Sequence, residues 1–440
     1  MRAGIFEIVN YTLHIMQTSK ERNPKMDLER LADEAEAALG DRFAEIDRIA
    51  RLGTRRVMDA FREERVDVGM FESTTGYGYD DRGRDTLDRI YARVFGAEAA
   101  FVRHSILSGT HALTVGLFGL LRPGDVLLAI TGKPYDTLDD VIGIGEKREN
   151  IGSLCDFGVE YREVPLLPDG TPDREGILEA LKDPRVRVAF LQRSKGYMDR
   201  PTLSVDEIGE LCDLVHENSR ALVFVDNCYG EFVDEREPTA VGADLMAGSL
   251  IKNPGGGMAE SGGYLAGTEE CVTLCGYRYS APGVGLEIGA SLGQNKSMYK
   301  GFFYAPHTVA QALKTAHLAA YVFDALGCPV EPHWSHPRHD IIQAVKCGTA
   351  EGMIALIRGI QYGSPIDAYV TCEPWDMPGY SDPVIMAAGT FTQGASLELS
   401  ADGPVKPPYI AFFQGGLTYE SGRIGVLSAA ECFLKTRESK

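Results

Sequence analysis

Apolar positions change their spacing twice along the chain. Between residues 27 and 65 the stretch DLERLADEAEAALGDRFAEIDRIARLGTRRVMDAFREER sets apolar residues three and four apart among charged ones, with Gly40 as an interruption. This spacing predicts two amphipathic helices broken near Gly40, which can pack on the main body or on another subunit. From about residue 98, short apolar runs alternate with helical segments. AAFVR (99–103), VLLAI (126–130), VRVAFLQ (186–192), ALVFVD (221–226), ADLMAGS (243–249) and GGYLAG (262–267) predict strands. Helix starts lie between them at Ser108 (SGTHALTVGLFGLL), at Thr171 with Pro172 in the first turn (TPDREGILEALKD), and at Ser204, which forms a capping-box pattern with Glu207. Strands alternating with helices predict an α/β fold with a mostly parallel sheet covered on both faces. A helical run at about 307–326 then reads as a connector, and 327–440, richer in Pro and Gly, as a smaller domain of mixed α and β character. The expected division is 1–75 helical segment, 76–310 large domain, and 311–440 connector with small C-terminal domain.

Size and charge narrow the classes. The 440 residues are 44% hydrophobic and 24% charged, enough for a large core and two domains. A net charge of −19 disfavours nucleic acid and anionic membranes. No stretch approaches the roughly 20 apolar residues that span a bilayer. The N-terminal apolar patch carries Glu7 and lacks a small-residue cleavage site, which argues against a secretory leader. Met26 offers an alternative start, leaving 1–25 as an arm outside the fold. Nine cysteines without a CxxC read as reduced thiols of a cytoplasmic protein, not a disulfide or metal framework.

Candidate chemistry collects at strand ends, where open parallel sheets bind ligands. In HSILSGTHAL a strand feeds a turn of Ser108, Gly109 and Thr110 that opens a helix. Its free N–H groups suit a phosphate, although an ordinary N-cap explains the residues as well. Asp226 closes the apolar strand ALVFVD. Lys252 follows the run ADLMAGS, three residues after Ser249, and glycines come directly behind it in SLIKNPGGGMAESGGYLAG. A lysine at the end of a core element is paired, snorkelling or chemically employed. Pyridoxal 5'-phosphate (PLP) requires an anion cradle, a carboxylate for its pyridine nitrogen and a lysine for its aldehyde. The glycines would then let the backbone turn close to the ring and substrate.

The blocks TGYGYDDRGRDTLDRIYARVFGAE, SGTHAL, QRSKGYMDRPTLSV, FVDNCYGEFV, SLIKNPGGGMAESGGYLAG, CEPWDMPGYSDPVIMAAGTF and GGLTYESGR occur in order over about 65–430. Together they resemble the methionine γ-lyase-like family, often labelled "aluminium resistance protein", among the fold-type-I PLP enzymes of cysteine and methionine metabolism. The resemblance implies a mainly parallel seven-stranded sheet, a small C-terminal α+β domain, and homodimers or homotetramers with active sites at subunit interfaces. It implies that Lys252 forms the Schiff base, that Asp226 faces the pyridine nitrogen, and that Ser108, Gly109, Thr110 and Ser249 hold the phosphate. Tyr135, in GKPYDTLDD, resembles the aromatic that stacks on the cofactor and is a candidate acid for a leaving sulfur. Tyr79 and Arg82 resemble residues that reach a neighbouring subunit's phosphate, with a spacing one residue longer than the Tyr-x-Arg of the better-known γ-lyases. Arg423 resembles the arginine that clamps the substrate carboxylate, and Arg278 is its rival.

The activity the resemblance implies is β- or γ-elimination or replacement on a sulfur-containing amino acid. Aminotransfer, retro-aldol cleavage and PLP binding without turnover remain alternatives. GASLG (289–293) matches the hydrolase pattern GxSxG, but no buried-strand pattern precedes Ser291. His333, His336 and His339 share a spacing of three, which Pro332 and Pro337 prevent from forming one helical metal-binding face.

Overall fold

The computed structural model describes residues 24–145, 150–377 and 382–438. The N-terminal arm up to residue 23 and the centre of the CEPWDMPGYSDPV block (378–381) lie outside the described residues. Two helices come first, α1 (Pro24–Ala38) and α2 (Gly40–Glu63), meeting at the expected break. Then follow α3 (Arg82–Phe95), β1 (Ala99–Arg103), α4 (Gly109–Leu120), β2 (Val126–Ala129), β3 (Glu160–Glu163), α5 (Arg174–Ala180) and β4 (Val186–Gln192). The large sheet is completed across α6 (Val205–Asn218) by β5 (Leu222–Asp226), β6 (Leu245–Ser249) and β7 (Gly263–Gly267), after which α7 (Glu269–Tyr279) and α8 (Asn295–Ala325) follow. The remainder is β8 (Val330–Glu331), β9 (Gln343–Lys346), α9 (Ala350–Tyr362), β10 (Val384–Ala387), β11 (Ser400–Pro404), β12 (Ile410–Gln414) and α10 (Tyr419–Glu438).

Among the described residues β1–β7 form one seven-stranded sheet in the order β1-β7-β6-β5-β4-β2-β3. The run from β6 to β3 is parallel and β7 is antiparallel to both its neighbours. This is the mainly parallel sheet of fold type I. Alternation along each strand feeds two helical layers. Val223 and Val225 pack with Leu87, Ile90, Val215 and Phe302, on α3, α6 and α8. Phe224 between them packs with Leu113, Leu117 and Cys275, on α4 and α7. A second sheet of five strands, β10-β11-β12-β9-β8, is covered by α9 and α10, with α1 and the end of α8 closing the same core.

Three sequence expectations shift. Strand β3, EYRE, was not foreseen: it is a charged edge strand whose residues are exposed or half-buried, so it carries no apolar run. Helix α5 is capped by Asp173, whose carboxylate accepts from the Gly176 N–H, and not by Thr171. Helix α8 starts at Asn295 and not near 307, because Pro306 lies inside it instead of breaking it. The Ser204–Glu207 capping box forms as expected.

The glycines behind Lys252 have a tighter purpose than clearing room for a ligand. Lys252 enters a short turn, Asn253–Gly255, that seats directly on α8. A Cβ on Gly255 would lie 1.6 Å from the Leu250 carbonyl oxygen, and one on Gly256 would lie 2.1 Å from that of Gly301. A Cβ on Gly301 would in turn lie 2.2 Å from the Gly255 carbonyl oxygen. The lysine's backbone is thus fixed by backbone-to-backbone contact that any side chain would wedge apart. Gly256→Ala should cost roughly 2–5 kcal/mol of stability, from overpacking plus the φ of +56°. Gly76→Ala, with φ +63° and nothing within 4 Å of its Cβ, should cost only about 1–2 kcal/mol. Urea unfolding of the two variants checks the difference.

Candidate functional site

The parallel strands end side by side, and their last residues open a cleft against the second sheet. Gln192 ends β4 and Asp226 ends β5, and the two are paired in register. Ser249 ends β6, and Lys252 follows after one turn of chain. Tyr135, Gln192, Asp226, Tyr229 and Lys252 line a small cleft, with Asp402, Phe412 and Ile342 contributed from the second-sheet side. The Lys252 Nζ stands 4.0 Å from the centroid of the Tyr229 ring. A Cβ on Gly109 would lie 3.6 Å from the Ser249 Cβ and 3.9 Å from the Lys252 Nζ. The first turn of α4 therefore opens directly beside the lysine.

Local chemistry explains each position. Ser108 is the N-cap of α4: its hydroxyl accepts from the His111 N–H at 3.1 Å. The Gly109 and Thr110 N–H groups, at the start of the helix, are the donors such a terminus leaves for an anion. The Thr110 and Thr137 hydroxyls are 2.9 Å apart, which ties this turn to the segment carrying Tyr135. Asp226 is buried, and its Oδ1 accepts from the Cys228 N–H at 3.1 Å. The turn after it puts Tyr229 at φ +75°, a conformation uncommon for a residue with a side chain. Tyr135 meets Tyr197 edge-on at 5.7 Å, and Tyr197 contacts Phe412 at 5.2 Å, so aromatic rings bridge the two sheets.

The structure brings Lys252, Asp226, Tyr135, Gly109 and Ser249 together, with Ser108 and Thr110 flanking Gly109. Three other expected residues lie elsewhere within the chain. Tyr79 is exposed, 5.5 Å from the Tyr77 ring, and Arg82 bonds both carboxylate oxygens of Asp67. Arg423 also lies apart from the cleft. Its guanidinium is held by Glu29, Asp33 and Glu36, which fixes α10 to α1 and leaves it outside the cleft lining. Its rival Arg278 lies 4.8 Å over the Phe118 ring. Residues 280–294 form no strand, so Ser291 lacks the setting of a nucleophile elbow; its N–H donates to the Thr74 hydroxyl. His339 is bonded to Asp234, and His333 to Ser335.

Among the cleft residues missed by sequence reasoning are Gln192, Tyr197, Tyr229 and Asp402. Gln192 carried the same signal as Asp226, a polar residue closing an apolar strand. Asp402 carried none, because its strand belongs to the second sheet and only folding brings it near the lysine.

Electrostatics are dominated by burial. It pushes the Asp226 carboxyl up, opposed chiefly by the Lys252 charge. It pushes the Lys252 ammonium down, but Cys228, Tyr229 and Asp226 oppose this and the net direction is up. Burial raises Asp402 to about 7, against the Tyr197 hydrogen bond and the Lys252 charge. The sign for stability follows. Below about pH 4 Asp402 is protonated in both folded and unfolded chains. As pH rises toward 7, the unfolded chain ionises first and the fold loses stability. Asp402→Asn should therefore be close to neutral at pH 4 and stabilise the fold at pH 8, by on the order of 1–4 kcal/mol. Unfolding of both proteins across this range, in buffer without added ligand, measures it.

Comparison with known proteins gives a consistent picture. The family model described as methionine gamma-lyase matches residues 28–434. The chain is 51% identical over 409 residues to the uncharacterised protein YnbB of Bacillus subtilis (strain 168), covering 93% of this chain and 97% of that one. It is 50% identical to a Listeria monocytogenes protein of known structure described as a candidate cystathionine beta-lyase involved in aluminium resistance. There the TM-score is 0.89, with 92% of this chain and 99% of the other covered. A carbon-sulfur lyase involved in aluminium resistance from Clostridium novyi NT superposes with a TM-score of 0.88 at 47% identity, covering 92% and 95%. The fold alone extends to the PLP-dependent protein YhfS of Escherichia coli, at 14% identity and a TM-score of 0.59 over 89% of this chain and 96% of that one.

Proposed function

The chain belongs to the methionine gamma-lyase family, and from that premise we propose that it is a PLP-dependent lyase acting on a sulfur-containing amino acid by β- or γ-elimination or replacement. The observation that carries the reading is the convergence on one cleft of a lysine amine, a buried carboxylate and a helix N-terminus. The residues fit the cofactor on their own chemistry. Gly109 leaves room where a side chain would meet Cys228 Sγ at 3.0 Å, and among the described residues the buried Gln192 Oε1 in the cleft wall has no hydrogen-bond partner.

When bound, PLP supplies an aldehyde for an amine and a protonated pyridine that draws electron density from the substrate Cα. Lys252 would hold it through Nζ, and the same amine, once free, is the base for the Cα proton. Asp226 would keep the pyridine nitrogen protonated; its burial strengthens that pairing. The Gly109 and Thr110 N–H groups, with the Ser108 and Ser249 hydroxyls, would hold the phosphate. Tyr135 would cover the ring and give a proton to the departing sulfur. A sulfur amino acid plus water then yields a keto acid, ammonia and a thiol.

The same reading proposes a cytoplasmic homo-oligomer in which Tyr79 and Arg82 serve a neighbouring subunit's phosphate. Exposed Tyr77 and Tyr79, side by side, support such a contact. All nine cysteines are unpaired, which suits a reducing compartment. Among the described residues no helix is long and apolar enough to cross a membrane.

Borohydride reduction of the PLP-loaded protein, followed by peptide mapping, should find the cofactor on Lys252. Lys252→Ala should abolish that attachment. Asp226→Asn should keep PLP but lose at least about a hundredfold in turnover. A screen of sulfur amino acids should release keto acid, ammonia and thiol together. Accumulation of pyridoxamine phosphate would instead identify an aminotransferase, and attachment without turnover a passive binder.

A further inference from the structure

We propose that Lys195, with Gln192 beside it, holds the α-carboxylate of the amino-acid substrate. The inference rests on the lyase reading above and supplies the contact for which Arg423 is unsuited. An amino acid can be presented correctly only if its carboxylate is held away from the reacting carbon, and this requires a cation that has not already been neutralised.

Elimination narrows the choice. The cleft continues outward into a second compartment, because Tyr135, Gln192 and Tyr197 line both parts. Three lysines line the outer part: Lys133, Lys195 and Lys406. Lys133 is paired with Asp136 and Asp139, and Lys406 with Asp382. The buried arginines nearby are used by the backbone. Arg200 donates to the carbonyls of Pro201, Gln192 and Ser194, and Arg338 to those of Ile342 and Ala316.

Lys195 is less used than any of these. It is 1% exposed, and its Nζ makes one hydrogen bond, 3.2 Å to the Glu331 carbonyl. Among the described residues no carboxylate forms an ion pair with it. An ammonium has three donors, and one left in a cleft wall without a counter-ion is costly. Burial accordingly pushes its pKa down, even with Asp340 and Glu331 opposing. A bound carboxylate removes that cost.

Gln192 adds a donor to the same wall. Its Nε2 donates to the Ser194 carbonyl at 2.9 Å, which leaves one amide hydrogen for a ligand. The turn that carries Lys195 is fitted to this wall. Gly196 has φ +57°, and a Cβ there would meet the Tyr135 ring at 2.9 Å and the Gln192 Nε2 at 3.2 Å. Gln192 also pairs with Asp226 in the sheet, so this wall stands next to the acid of the reaction centre. A carboxylate bonded to Lys195 Nζ and the free Gln192 amide hydrogen would leave the substrate Cα toward Lys252.

The test compares L-methionine with L-methioninamide, in which a neutral carboxamide replaces the carboxylate. PLP-loaded protein is titrated with each, and the absorbance change of the cofactor gives an apparent Kd. Wild-type protein should bind the acid at least about tenfold more tightly than the amide. Lys195→Met should lose that preference while borohydride still fixes PLP to Lys252, and Lys195→Arg should keep part of it. Arg423→Gln should keep the wild-type preference. The proposal is overturned if wild type shows no preference, if Lys195→Met retains it, or if Arg423→Gln removes it. Should Lys195→Met fail to fold, the wild-type ratio and the Lys195→Arg and Arg423→Gln titrations still decide. Failure of wild type to attach PLP at all overturns the lyase reading itself, a result distinct from each of these.

Discussion

An ammonium and a carboxylate, Lys252 and Asp226, share one cleft, and much of the fold serves to hold them there. Two charges taken out of water repay their desolvation only when geometry is fixed and remaining polar atoms are bonded. Asp226 ends β5, and Lys252 follows the end of β6 by one turn, so the paired strands β5 and β6 set where both begin. Two further devices stop either from drifting. One is the glycine contact between the turn after Lys252 and α8, where Gly255, Gly256 and Gly301 allow backbones to touch. The other is a buried network behind Asp226.

That network starts from Arg193, directly after Gln192. Its guanidinium, fully buried, donates to the Asn227 side chain at 2.8 Å and to the Gly230 carbonyl at 3.0 Å, and it bonds Asp234. Asn227 passes a hydrogen bond to Glu237 at 3.1 Å, and Glu237 accepts the Phe232 N–H at 2.8 Å. The loop from 227 to 237 is thereby clamped from inside. Gly230 is required because a Cβ there would lie 2.3 Å from the Arg193 Nη1. Tyr229 can be kept at positive φ only because its neighbours are over-determined in this way. The strain is local, and it puts an aromatic face against the Lys252 amine.

What was legible in the sequence follows from where side chains face. Strands β1, β2, β4, β5, β6 and β7 are covered on both faces, so they appear as short apolar runs, and a polar residue that ends such a run stands out. Asp226 and Lys252 were found this way. Strand β3 was invisible because an edge strand needs no apolar run. The second sheet was visible only as a region, since its strands are two to five residues long and its partners are far apart in sequence. Arg423 lies outside the cleft lining, which its motif did not indicate. Its true partners, Glu29, Asp33 and Glu36, sit four and three residues apart on one face of α1. Helical spacing alone groups those three acids, but nothing in the sequence says which cation they receive.

These differences divide the cleft into two halves with different origins. The half that would carry out bond-breaking is built from the ends of neighbouring parallel strands, where position is dictated by the sheet and residue type by the reaction. The other half comes from the turn after β4 and from the second sheet, through Lys195, Tyr197, Asp402 and Phe412. Those residues meet only because α8 spans both cores and α10 is locked to α1. A change in the packing of the second sheet would therefore alter which side chain the cleft accepts while leaving the lysine and its acid in place. An arginine spent on holding two helices together, and a lysine left without a counter-ion in the cleft wall, are two consequences of that division.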